Sequence, residues 1–288
     1  MKYFVIVFAA LCLGIVTFFF VNSSNANTFL TARPAVSDAT NFDVAVEEPL
    51  VVIEDTAAQS NAKQIAHYTF DEADGAVLND HVAYNNGHVS GNFWRTTGVS
   101  NNALVLEDAQ AEIANQPQLN HNLNPYSIST WVYLQPDSSV WIDKRDFQNE
   151  PKTIEGRFGG TFDHYVPLAG YSLWVSEHET DGTFINFFIN QTSVQFNLNT
   201  RFSAGQSLAD GQWHQVVVTV SPGQSGGLVL YVDGVPVAWA DATELTAPYN
   251  STSSMYLYGR GQAGIDEIVL LDEALSAEDI TTRFNAKQ

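Results

Sequence analysis

The chain reads as an all-β antiparallel sandwich closed by one short C-terminal helix, and three features carry that reading. From Ile65 onward, short runs of β-branched and aromatic residues alternate with Gly, Asn, Asp and Pro, the composition of strands and turns. Asp233-Gly234, set between Leu228–Val232 and Val235-Pro236-Val237, is a two-residue hairpin signal. Near the end, the strand patterns Met255–Gly259 and Ile265–Leu271 lead into Ser276-Ala277-Glu278-Asp279, an N-cap hydroxyl followed by a carboxylate at the third helical position.

Taken in order, Lys2 precedes an apolar run from Tyr3 to Val21, and Ser24-Asn25-Ala26 supplies a small-x-small cleavage pattern, so residues 1–26 read as an export signal. The expected location is secreted, periplasmic or cell-surface. A retained segment is long enough to span a bilayer, so membrane contact is expected only if the signal stays uncleaved. Residues 27–63 carry Pro34 and Pro49 with no sustained period and read as a flexible acidic tether. Within them, Leu50–Ile53 is too short and isolated to found a domain. Residues 64–288 then form one domain. Its clearest strand runs are Ala103–Glu107, Ser127–Leu134, Tyr171–Ser176, Phe184–Asn190, Ser193–Leu198, Gln212–Val220 and Leu228–Val232. Pro236 cannot donate to a ladder, which places its strand at an edge or its residue at a strand start. The one convincing helix runs from Ala277 to about Ala286.

The sole cysteine, Cys12, lies inside the apolar run, so the processed chain is stabilised by core burial or metal rather than by disulfides. With 32 Asp and Glu against 12 Lys and Arg, the net charge is −20, and nucleic acid is not an expected partner.

Seven motifs in sequence give the domain a family likeness. They are Tyr68-Thr69-Phe70-Asp71-Glu72 with Gly75 and Asp80; Asn85–Gly91; Asn102–Leu106; Tyr126–Val132; Asp210–Val220; Leu230–Gly234; and Gly264–Ile268 through Ala274–Ile280. Together, over about residues 65–286, they resemble the concanavalin A-like lectin/glucanase superfamily in its laminin G-like jelly-roll branch. The resemblance implies two curved antiparallel sheets whose first and last strands lie side by side, bringing Asp71 and Asp266 together. It also implies a structural Ca²⁺ at that place, because two close carboxylates repel unless a cation sits between them. Asn86 and Asp80 are the further candidate ligands. The chain departs from the family after Asp80, where His81-Val82-Ala83-Tyr84 replaces a glycine-containing turn.

The chemistry of the remaining residues leaves three readings open. The Glu-x-Asp-x-x-Glu strand of the superfamily's glucanases is missing, and with it the carboxylate pair of a retaining glycosidase. The stretch from Asp143 to Ala169 reads as a long inserted loop, with Lys144, Arg145, Lys152 and Arg157 followed by His164-Tyr165. A lyase or hydrolase acting on anionic polysaccharide would draw its charge neutraliser and proton carriers from Arg157, His164 and Tyr165. A lectin needs only an aromatic face and polar groups. Trp131 and Trp213 read as core, whereas Trp141 and Trp174, with Lys144, Arg145 and Tyr165, are the candidate carbohydrate contacts. The leading expectation is an exported, calcium-stabilised, non-catalytic module that binds a polysaccharide or glycan, anionic or otherwise. The alternatives are the enzyme and a protein-binding adhesion module, which the scaffold alone does not separate.

Overall fold

The computed structural model describes residues 4–6, 19–21, 62–147, 167–178, 181–191, 194–202 and 207–287. The chain divides into two units, Met1–Gln59 and Ser60–Gln288. In the first, β1 (Phe4–Ile6) and β2 (Phe19–Val21) pair antiparallel, Phe4 opposite Val21. The remainder of the expected signal and tether, including Leu50–Ile53, lies outside the described residues. No helix among the described residues is long and apolar enough to cross a membrane.

The second unit is built from strands β3 (Gln64–Tyr68), β4 (Val77–Leu78), β5 (Gly87–Thr97), β6 (Asn102–Ile113), β7 (Tyr126–Tyr133), β8 (Ser139–Phe147), β9 (Pro167–His178), β10 (Gly182–Gln191), β11 (Val194–Arg201), β12 (His214–Val220), β13 (Leu228–Val232), β14 (Val235–Ala240), β15 (Met255–Arg260) and β16 (Ala263–Leu271), followed by α1 (Ala277–Asn285). All pairings are antiparallel. The hydrogen-bonded order runs β11-β10-β9-β8-β15-β6-β16-β7-β12-β13-β14.

Strand β6 is where this order turns from one layer into the other. Its first half pairs with β16, through Leu104–Leu106 opposite Ile265–Ala263. Its second half pairs with β15, through Ala109–Ile113 opposite Gly259–Met255. A bulge between Ser90 and Asn92 lets β5 follow the bend. One layer is therefore β3, β16, β7, β12, β13 and β14 with the second half of β5 and the first half of β6, and the other is β15, β8, β9, β10 and β11 with the first half of β5 and the second half of β6. The result is the expected two-sheet jelly-roll sandwich.

Alternation decides which side chains fill the space between the layers. Ile128 and Val132 of β7, Val216 and Val218 of β12, and Ile265 and Leu270 of β16 face Ile142 of β8, Leu173 of β9, Ile185 and Phe187 of β10, and Leu257 of β15 in one core cluster. The first and last strands are neighbours, as the resemblance implied, with Tyr68 opposite Ile268. Asp233-Gly234 closes β13 and β14 as a two-residue hairpin, Val232 opposite Val235, and both turn residues have positive φ, which glycine adopts freely. β14 ends the layer, so Pro236 sits on an edge strand.

Helix α1 begins as the cap signal requires. Ser276 Oγ accepts from the Asp279 backbone N–H at 3.1 Å, a cap that stabilises a helix by about 1 kcal/mol. The helix covers part of the outer face of the first layer, where Ile280 and Leu275 join Val217, Tyr231 and Leu271 in a second apolar cluster. Phe284 stacks on Trp131 at 5.6 Å.

Two expectations are corrected. The basic stretch 143–169 is not a loop along its whole length, because Asp143–Phe147 completes β8 and Pro167–Ala169 opens β9; only 148–166 lies outside the described residues. Its alternation was masked by charge: Asp143 and Arg145 face outward and Lys144 inward, so one polar run serves both faces of a strand. The other correction is Trp213, expected in the core, which instead lies on the outer face above Gly264.

Candidate functional site

The expected metal residues fall on two hydrogen-bonded turns. Asp266 is fully buried; its Oδ2 accepts from Val99 N at 2.8 Å and its Oδ1 from Glu267 N at 2.9 Å. Asp71 holds the other end of the same turn, accepting from Asn102 N at 3.0 Å. Burial, opposed by the Val99 and Ser100 N–H groups, pushes Asp266 up to about 7.

Asp80 and Asn86 organise a second turn. Asp80 Oδ1 accepts from His67 N and Val82 N, both at 3.0 Å, and Oδ2 from Asn85 N at 3.2 Å and Asn85 Nδ2 at 3.1 Å. Asn86 Oδ1 accepts from Asp80 N. Both oxygens of Asp80 accept N–H groups of its own turn, whereas the N–H groups around Asp266 offset its burial only in part. Among the described residues, no three His, Cys, Asp or Glu side chains gather at metal-holding distance. As arranged, the four residues do not fit a calcium cage.

The outer face of the second layer carries a different constellation. Strand registers align Gln110, Tyr258, Trp141, Trp174, Asn186 and Asn199 into one row across six strands. Trp141 and Trp174 stack at 4.4 Å with 12° between their planes, and Phe184 meets Trp174 edge-on at 5.5 Å. The two tryptophans line a cleft of about 710 Å³ together with Ser139, Ser176, Tyr258 and Arg260. Asp108, Asp137, Glu177 and His178 complete its wall.

Several buried polar atoms on this face have no hydrogen-bond partner among the described residues. They are Trp174 Nε1, the Asn186 and Asn190 side-chain oxygens and Ser172 Oγ. Asn186 and Asn190 are buried, which makes an unmade hydrogen bond costly, by about 1–3 kcal/mol each. Neither was singled out from the sequence. The signal was present all the same: in Phe184-Ile185-Asn186-Phe187-Phe188-Ile189-Asn190 the two amides recur four residues apart, which in a strand is the same face.

The expected carbohydrate residues separate accordingly. Trp141 and Trp174 come together on this face. Arg145 shares it but is 4% exposed and forks onto Asp143, through Nε at 2.6 Å and Nη2 at 3.2 Å. Lys144 is a correction, because it points the opposite way and is fully buried. Its ammonium donates to Asn115 Oδ1 at 2.7 Å, Ser253 O at 2.8 Å and Ser251 O at 3.3 Å, and burial pushes it down to about 8. It ties the chain around residues 251–253 to β8 and cannot touch a ligand in this position. Tyr165, His164 and Arg157 lie outside the described residues, as does Lys152.

Comparison with known proteins follows from this geometry. A family model described as concanavalin A-like lectin/glucanases superfamily (Laminin G 3) matches residues 106–281. No curated protein matches the sequence. Among solved structures, the binding domain of Botulinum Neurotoxin DC in complex with SialylT is similar with a TM-score of 0.57 at 17% identity, over 78% of this chain and 52% of that one. The binding domain of Paraclostridial Mosquitocidal Protein 1 is similar with a TM-score of 0.58 at 12% identity, over 77% and 52%. A botulinum neurotoxin type C structure, described by cell entry dependent upon interaction with two ganglioside molecules, gives 0.55 at 15%, over 78% and 51%. The chain spans about half the length of each, and at these identities the likeness is one of fold.

Proposed function

Because the chain belongs to the concanavalin A-like lectin/glucanases superfamily, and because its second layer presents stacked tryptophans in a polar-walled cleft, we propose that it is an exported, non-catalytic module that binds glycan in the Trp141–Trp174 cleft. The observation that carries this reading is a stacked tryptophan pair lining a cleft whose other walls are polar. A pyranose fits such a cleft, its apolar face against the rings and its hydroxyls against polar wall groups such as Ser139, Ser176 and Glu177. The solved neighbours described with SialylT or gangliosides support a glycan as the ligand class. The cleft wall carries Asp108, Asp137 and Glu177 against Arg260 and His178, a balance that favours an uncharged sugar over a uronate.

Binding rather than turnover is supported by the state of Asp143, the carboxylate beside Trp141 on neighbouring rows. It is fully buried and its oxygens take the Arg145 guanidinium, so it does not stand across a bond as a nucleophile or acid would. A protein partner is the second reading, favoured by the similarly folded toxin binding domain described in complex with rat synaptotagmin II.

The test is a glycan array read in parallel with turnover assays for released reducing ends and for absorbance near 235 nm. Binding without turnover is expected, with Trp174→Ala weakening it by about tenfold or more, the size of a lost ring contact. No glycan bound, or Trp174→Ala binding like the wild type, sinks the reading. Export is tested separately by sequencing the N-terminus of the processed protein, which is expected to begin at Asn27.

A further inference from the structure

A second aromatic groove lies on the other layer, beyond the part of the face that α1 covers. Register places Trp94, Val105, Gly264 and Tyr133 in one row across β5, β6, β16 and β7. Trp213 extends the row: its ring lies flat enough on the backbone that a Cβ at Gly264 would come within 2.8 Å of it. Only glycine leaves room for that contact. Tyr133 and Trp213 meet at 5.6 Å and 51°, forming one aromatic wall. Trp94, 37% exposed, forms the opposite one. The space between is about 310 Å³, and its polar lining is Thr96, Thr97, Gln135 and Gln262.

This lining is what identifies the occupant. The chain carries 32 acidic residues and a net charge of −20, yet none of the groove residues is charged. A neighbouring carboxylate, Glu107, stands behind Gln262 and accepts from its amide at 3.5 Å, so the lining itself offers a charged ligand of either sign no counter-charge. Two ring faces separated by hydroxyls and amides suit a ligand with apolar faces and a hydroxylated edge. We propose that this groove is a second, independent binding site for a neutral glycan, so that one domain holds sugar on both of its layers. Two sites on opposite faces let a single chain bridge two strands of a polymer or engage one polymer twice, raising avidity without new contacts.

The experiment is isothermal titration of the full chain with neutral oligosaccharides of glucose, xylose, mannose and N-acetylglucosamine, beside Trp94→Ala, Trp213→Phe and Trp174→Ala. Trp94→Ala is expected to lower affinity about tenfold at one class of site while the class sensitive to Trp174→Ala is unchanged. Trp213→Phe, which keeps a ring over Gly264, is expected to fall between wild type and Trp94→Ala. Binding by Trp94→Ala equal to wild type for every sugar overturns the inference and leaves the Trp141–Trp174 cleft untouched. Loss confined to Trp174→Ala does the same. A peptide library that depends on Trp94 while no sugar does overturns it in favour of protein docking.

Discussion

Replacing Asp80 with alanine separates a hydrogen-bonding hub from an ion ligand. The side chain is 2% exposed and accepts four donors, three of them backbone N–H groups. Removing it strands those donors, each worth about 1–3 kcal/mol when buried. Some of them reach water, since the His67 and Val82 contacts are only part-buried, and effects within one network do not add. The expected loss is about 3–5 kcal/mol, a large share of the stability of a domain. For a domain of this size that lowers Tm by roughly 10 °C. Asp80→Asn keeps an acceptor for only one of the two donor pairs and turns an amide toward the other, so it falls between. The assay is thermal unfolding of wild type, Asp80→Ala and Asp80→Asn, each in chelator and in millimolar calcium. A hub loses the same stability in both solutions, and wild-type curves coincide. If the wild type melts several degrees higher in calcium and the Asp80→Ala difference disappears in chelator, the reasoning fails and the ion returns to this turn.

Two further substitutions test the buried charges. Asp266 is raised in the folded state from its ordinary 3.8 to about 7. Its ionised form therefore destabilises the fold above pH 7, and that cost is relieved as pH falls from 7 toward 4, by up to about 4 kcal/mol. His214 acts in the same direction: burial lowers it, but the hydrogen bonds it donates to Asp233 and Asp210 outweigh burial and raise it, so its contribution is present below 6.5 and lost as pH rises. Denaturant unfolding of wild type and Asp266→Asn at pH 8, 6 and 5 isolates Asp266. The wild type should gain on the variant as pH falls, and parallel curves refute the assignment. Lys144→Met strands three neutral acceptors while removing a buried charge, and is expected to cost about 1–3 kcal/mol. Glycan affinity measured below the unfolding transition should not change; a loss of affinity at unchanged stability would return Lys144 to the ligand.

Sequence periodicity alone determined the all-β class, most strand positions, the Asp233-Gly234 hairpin and the Ser276 cap, because each rests on neighbours a few residues apart. The pairing of β3 with β16 was legible only through the ordered motifs of the family. Burial and direction were decided by the tertiary structure. Lys144, Arg145 and Asp143 read as one basic loop until β8 gave them opposite faces, and strand alternation then sent the lysine to the interior. Trp141 and Trp174 stand 33 positions apart in the sequence, and only the β8–β9 register stacks them beside Asn186. Trp213 looked like core because an apolar strand follows it, yet Gly264, some fifty positions on, left the space that drew its ring onto the surface. Such contacts depend on which strands become neighbours, a long-range outcome of burying one shared core that no local window contains.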